Sequence, residues 1–270
     1  MQLILIAANV ALSLAVLLYA SWSDYKTREV SNRVWVIYAP IAFSLSLAEL
    51  LPYEPSKLPL FGLSFGVTAA ISFALFYSGG FGGADSKALM CIALALPFST
   101  ERLFKPLIST GLSPISQVIF PLTIFSNAIL FAAASAIYML FNNIVWNVRH
   151  GGEIFEGTLA AESFGKKILV LITGYKVSVA KLREKWHVYP MEDVDDADGN
   201  PPKRKIVVVP KDEGRSEIVM RLSSAVENGK INEYVWATPG LPMLIFVTAG
   251  LIVSLLFGDI VWSMVRFILG

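Results

Sequence analysis

The chain has 270 residues, 55 % of them hydrophobic and 16 % charged, with a net charge of +1. A soluble domain is about 25 % charged, so the deficit points to surface that faces lipid, and the near-neutral balance offers nucleic acid no bulk attraction. A single cysteine, Cys91, excludes an intrachain disulfide and a paired-cysteine metal site, and His150 and His187 have no metal-ligand spacing.

Six apolar segments follow in chain order, at about residues 3–22, 34–51, 58–77, 86–98, 115–141 and 241–268. The first lacks the basic start and small-residue cleavage site of a secretory signal, so it reads as a retained helix. The fourth is short against the roughly 17–25 residues of a bilayer crossing. Gly62 and Gly66 in the third match the small-xxx-small pattern of close helix pairs. Trp22, Trp35, Trp146 and Trp236 fall near segment ends, as an interfacial aromatic belt requires.

Residues 142–236 form the one long polar stretch. Within it, residues 168–172 and 205–209 are rich in β-branched side chains and read as strands. Residues 216–228 have helical spacing and end at Gly229. The acidic run at 192–200 resembles a calcium loop only superficially. With Gly199 at the sixth loop position, Val194 and Lys205 occupy ligand positions that need oxygen donors. The fold class is therefore an all-α polytopic membrane protein of six transmembrane helices, with a small mixed α/β insertion between helices five and six. Its divisions are a membrane domain at 1–141, the insertion at 142–236 and a last helix at 237–270. Lys26, Arg28 and Arg33 in the first loop, with Lys87 and the basic insertion, put the odd loops in the cytoplasm.

Two carboxylates carry the chemistry. Asp24 follows the first apolar segment, and Asp85 heads the fourth, 61 residues later. On the charge-bias topology both lie at the cytoplasmic membrane edge, where a carboxylate near hydrocarbon has a task or a partner. A close carboxyl pair shares one proton and suits hydrolysis, the ionised member activating water and the protonated one polarising a carbonyl. Gly79, Gly80, Gly82 and Gly83 clear side chains ahead of Asp85, so a substrate backbone can come near. Asp85 can also be read as a first-turn capping residue, and Asp24 as a salt-bridge partner of Lys26 or Arg28. The glycine run is not a phosphate-binding loop, because Ser86 precedes Lys87.

At these residues the chain resembles the prepilin peptidase family of aspartyl proteases. Asp24, Val30 and Asn32 fall on its D-x5-IPN signature, and Gly82, Ala84 and Asp85 on its GxGD signature. Ser31 stands in place of the family's proline and Ala84 in place of its second glycine, where a positive φ would be costly. The late insertion is most like that of the archaeal preflagellin and prepilin peptidases. The resemblance implies a membrane endopeptidase that removes the short basic leader of pilin-like or archaellin precursors at the cytoplasmic face of an archaeal cell membrane. It implies Asp24 and Asp85 as the catalytic pair, with no cofactor and no metal. Gly82, Gly83, Ala84, Asn32, Glu29 and Lys87 are the expected substrate-binding or loop residues, with Glu29 the acidic candidate for a basic leader. The expected partners are the precursors and the lipid bilayer. The cysteine-bearing domain of the bifunctional bacterial enzymes is absent, so a peptidase alone is expected. Other readings are a presenilin-like or signal-peptide-peptidase-like enzyme and a cation-coupled transporter.

Overall fold

The computed structural model describes residues 1–107, 113–151, 153–196, 203–207, 214–238 and 242–269. The chain divides into two compact units, Met1–Ala132 with Pro242–Gly270, and Ala133–Leu241.

The first unit is helical. It contains α1 (Gln2–Thr27), α2 (Asn32–Tyr53), α3 (Leu58–Tyr77), α4 (Gly83–Ala95), the short α5 (Pro114–Val118), the first part of α6 (Phe120–His150), α10 (Met243–Phe257) and α11 (Ile260–Leu269). Among the described residues four segments are long and apolar enough to cross a membrane: Gln2–Thr27, Asn32–Tyr53, Pro55–Tyr77 and Phe120–His150. Helices α10 and α11, bent by 61° at their junction, add a fifth if the pair is one span. The chain is thus a membrane protein built on four or five candidate spans. The short fourth segment is α4, 13 residues long.

The helices bury their polar and small stripe and turn bulk outward, as membrane helices do. Helix α1 buries Asn9, Val10, Ser13, Leu17, Ala20 and Ser21 at helical spacing. Helix α3 buries Ser64, Thr68 and Ser72, while Leu63, Phe73 and Phe76 stay exposed. Interhelical hydrogen bonds tie these faces together: Tyr38 Oη to Ser13 Oγ at 2.7 Å, Asn9 Nδ2 to Ser46 Oγ at 3.1 Å, and Ser21 Oγ with Thr248 Oγ1 at 2.7 Å.

Two expected helices are broken. The fifth apolar segment divides at Ile119 into α5 and α6; Pro121 lacks an N–H, and the Phe120 N–H donates instead to the Pro97 carbonyl at 3.1 Å. The sixth divides at Gly258, whose φ of +80° suits glycine. Asn127 makes that break tolerable in an apolar unit. Its Nδ2 donates to the Gly258 carbonyl and to Ser254 Oγ, both at 2.9 Å, and its Oδ1 accepts from the Ile260 N–H at 3.2 Å.

The small-residue pair singled out in the sequence makes no close helix contact among the described residues, since a Cβ on Gly62 or Gly66 would meet nothing there within 4 Å. The close approach is at Gly250 on α10, where a Cβ would lie 2.4 Å from the Ile124 carbonyl oxygen and 2.9 Å from the Ala128 nitrogen of α6. Trp35 is also not a belt residue; it is 4 % exposed in the core of this unit.

The second unit holds the remainder of α6, α7 (Phe164–Thr173), β1 (Tyr175–Ser178), α8 (Val179–Glu184), β2 (Tyr189–Pro190), β3 (Glu192–Asp196), β4 (Lys203–Ile206), α9 (Arg215–Glu227) and β5 (Tyr234–Thr238). The strands form an antiparallel sheet of order β1-β5-β2 and a separate β3-β4 pair. The strand expected at 205–209 is β4 in part; residues 208 and 209 lie outside the described residues, as do 197–200 of the acidic run and 239–241. The strand expected at 168–172 is instead helix α7, because its apolar residues follow a helical arc and Lys166 and Lys167 sit on the other side. Helix α9 matches its expected span, and Gly229, at φ +67°, closes it. Trp236 is buried at 2 % and stacks on Phe155, so it too is a core residue. Glu192, fully buried, accepts two hydrogen bonds from Arg204 Nη2, at 2.9 and 2.8 Å.

The Gly250 contact yields a direct test. Gly250→Val should force α10 off α6 and cost about 1–3 kcal/mol, read as a lower melting temperature in detergent. Gly62→Ala and Gly66→Ala should leave it unchanged.

Candidate active site

Asp24 lies in the last turn of α1 and is half-buried. Helix α1 then stops by a local device. Arg28 takes the left-handed conformation, with φ 55°, and its N–H caps the Asp24 carbonyl at 2.9 Å. A non-glycine residue here is strained and is held by its surroundings. Ser23 Oγ and Thr27 Oγ1 both donate to the Glu29 carbonyl, at 2.8 and 3.0 Å, and fix the turn. Ser31, where the resembled family has proline, is the N-cap of α2, and its Oγ accepts from the Arg33 N–H at 3.4 Å. Serine is a preferred cap, so the substitution preserves the helix start by other means.

Asp85 is the third residue of α4 and is half-buried. Its Oδ2 accepts from the Gly82 N–H at 2.9 Å, the reach-back of a capped helix start. The capping role weighed from the sequence is therefore physically real. It fixes this carboxylate through one oxygen and leaves Oδ1 outside that bond. Gly82 permits the arrangement, because a Cβ there would sit 3.1 Å from Oδ2. Gly83 and Ala84 are the first helical residues of α4. Arg28 is the one non-glycine residue at positive φ among the described residues, so Ala84 costs no strain.

The two sequence motifs meet. Lys87 Nζ donates to Asn32 Oδ1 at 2.6 Å, joining the second turn of α4 to the first residue of α2. The charge of Asp24 is close enough to act on Asp85, and that of Arg28 on Asp24. Lys26 turns elsewhere, with its Nζ over the Trp22 ring at 4.4 Å. Glu29 is exposed on the α1–α2 connection and contributes its carbonyl to the turn. A carboxylate pair of this kind can activate water and polarise a carbonyl without a metal.

Sequence reasoning missed two supports. Phe81, alone among four glycines, is buried at 7 % and packs edge-on against Phe125 of α6 at 5.5 Å. The glycine loop thus has an anchor, and the lone aromatic was its signal. Ser86 Oγ, beside Asp85, donates to the Ser72 carbonyl of α3 at 3.2 Å.

The fold is that of a helical membrane protein, and the segments that carry Asp24 and Asp85 are joined by the Lys87–Asn32 hydrogen bond. Residues 11–145 match the type IV leader peptidase family, and residues 166–260 match the archaeal peptidase A24 C-terminus, type II. The chain is also similar to a preflagellin peptidase of Methanococcus voltae, at 26 % identity over 94 % of this chain and 97 % of the relative. A preflagellin peptidase of Methanococcus maripaludis shows 22 % identity over 90 % and 92 %. The chain belongs to the type IV leader peptidase family and is a protease.

If Gly82 sets the seat of Asp85, Gly82→Ala should push the carboxylate off its cap. Peptidase turnover should fall about tenfold, the equivalent of ~1.4 kcal/mol. Gly66→Ala, at a position with open space around its Cβ, should be near parental in the same assay.

Proposed function

We propose that this protein removes the short leader peptide from preflagellin or pilin-like precursors, cutting at the cytoplasmic face of the cell membrane, with Asp24 and Asp85 as its catalytic dyad. The observation that carries this reading is the meeting of the two motifs at one end of the helical unit, joined by the Lys87–Asn32 hydrogen bond. Kinship with preflagellin peptidases supports the substrate class.

In this mechanism one carboxylate takes a proton from water while the other, protonated, donates a hydrogen bond to the scissile carbonyl oxygen. Attack gives a tetrahedral diol. Its collapse breaks the C–N bond, with the proton passing to the leaving amine. Gly82, Gly83 and Ala84 keep the approach to Asp85 free of bulk, so the extended segment of a precursor can lie against it. Asn32 and Lys87 hold the α2 and α4 starts in register. Exposed Glu29 offers a negative charge to a basic leader.

The proposed topology has six crossings, with α4 as the short one and the second unit in the cytoplasm. At 13 residues, α4 spans about 20 Å. A helix enclosed by protein can be that short, because its end is satisfied from within. Ser46 Oγ does this by donating to the Leu94 carbonyl at 2.6 Å. The basic first loop supports the cytoplasmic side.

The experiment is cleavage of a preflagellin precursor by the purified protein in detergent, read by gel shift. Asp24→Asn and Asp85→Asn should each reduce cleavage to the uncatalysed background while melting like the parent. Cleavage should persist in EDTA, since carboxylate chemistry supplies both proton steps. Near-parental turnover in either variant sinks the dyad. Cation flux in liposomes without cleavage would favour a transporter instead.

A further inference from the structure

Helix α7 is inside-out for a soluble domain. Phe164 is 78 % exposed, and Ile168 and Leu169 are 40 % exposed each. With Ile172 these residues share one arc of the helix at i, i+4, i+5 and i+8 spacing. The lysines lie on the other side, turned toward the unit. Lys166 Nζ bonds Glu162 Oε2 at 2.8 Å. Lys167 Nζ donates to the Ala160 carbonyl at 2.6 Å and lies 5.7 Å from the centre of the Phe155 ring. Between them Val170 is fully buried among Leu159, Met191, Ile206 and Trp236. A helix on a water-exposed surface turns its charged residues outward; this one turns its hydrophobes outward.

The helix is fixed at both ends. Asn143 of α6, 4 % exposed, donates from Nδ2 to the Leu171 carbonyl at 2.9 Å and to the Gly174 carbonyl at 2.7 Å. Glu162, just before α7, accepts at Oε1 from the Ile206 N–H of β4 at 2.9 Å. Asn143 also ties α7 to the apolar stretch of α6. Exposed Ile137, Tyr138 and Phe141 on α6 belong to its apolar run, which continues past Asn143 through exposed Ile144, Val145 and Val148 to Arg149 and His150. The last turn of α7 is therefore held beside the exposed apolar stretch of α6.

We infer that α7 is an interfacial helix whose outward face, Phe164, Ile168, Leu169 and Ile172, inserts into the headgroup–acyl boundary of the bilayer and seats the second unit on the membrane. This rests on the proposed crossing by α6. Ten residues bind a membrane weakly on their own. Covalent attachment to a crossing helix makes the contact intramolecular, so a few apolar side chains suffice.

The test uses the full chain with Cys91→Ser, reconstituted in phosphatidylcholine–phosphatidylglycerol vesicles, carrying one nitroxide at a time at residues 164, 168, 137 and 183. Ile137 on α6 reports lipid, and exposed Arg183 reports water. Power saturation with oxygen and with a water-soluble nickel chelate measures both environments. The inference expects 164 and 168 to follow 137, with oxygen accessibility severalfold above nickel, and 183 to show the reverse. Labels at 164 and 168 that follow 183 overturn it. So does low access to both reagents, which marks a protein contact such as a second copy or a substrate helix. A water-like label at 137 would instead strike the α6 crossing itself and remove the ground of the inference.

Discussion

Helix α4 is the constraint on which the membrane unit depends. It is short, and seven of its thirteen residues are buried: Ser86, Ala88, Leu89, Cys91, Ile92, Ala93 and Ala95. Helices α1, α2, α3 and α10 all pack against it. Three of the buried seven are alanines, which let neighbouring backbones draw close where lipid offers no hydrophobic drive for association. Hydrogen bonds then fix its rotation and height. Ser86 Oγ holds its start to α3, Ser46 Oγ holds its end to α2, and Lys87 reaches Asn32. Asp85 is the first charged side chain on this helix. Its position relative to α1, and so to Asp24, follows from how α4 is enclosed.

The candidate site stands out in the sequence because its residues fall in short segments. Two carboxylates at the ends of apolar runs, one behind four glycines, need no tertiary information to be noticed. The supports were less legible, since each depends on a distant partner. Phe81 is informative only once Phe125 is seen across from it. Ser31 departs from the family's proline and caps α2 through its hydroxyl, and the strain expected at Ala84 is absent because that residue is helical.

The limits of the fold reading have the same origin. Hydropathy sees apolar composition and not backbone continuity, so the breaks at Ile119 and Gly258 were invisible; the second is tolerated because Asn127, more than 120 residues away, satisfies its backbone groups. β-Branched content at 168–172 spoke for a strand, yet lysines at 166 and 167 opposite an apolar arc made a helix the better fit. Trp35 and Trp236 were assigned to a belt by position, and both are buried because packing, not distance from a helix end, decides where an indole goes. The buried Glu192–Arg204 pair was likewise unreadable, since it joins two strands through side chains of common type.

The central claim is that the enclosure of α4 brings Asp85 to Asp24. Cross-linking tests it most directly. With Cys91→Ser, the double variant Asp24→Cys, Asp85→Cys would be treated in native membranes with a short bifunctional thiol reagent, beside Asn9→Cys, Ser46→Cys as the reference pair of bonded neighbours. Intramolecular cross-linking should occur in both, detected as a mobility shift lost in the single-cysteine variants. A cross-link at 9–46 with none at 24–85, across a series of reagents of increasing reach, would contradict the account, because the two carboxylates would then belong to separate places on the fold.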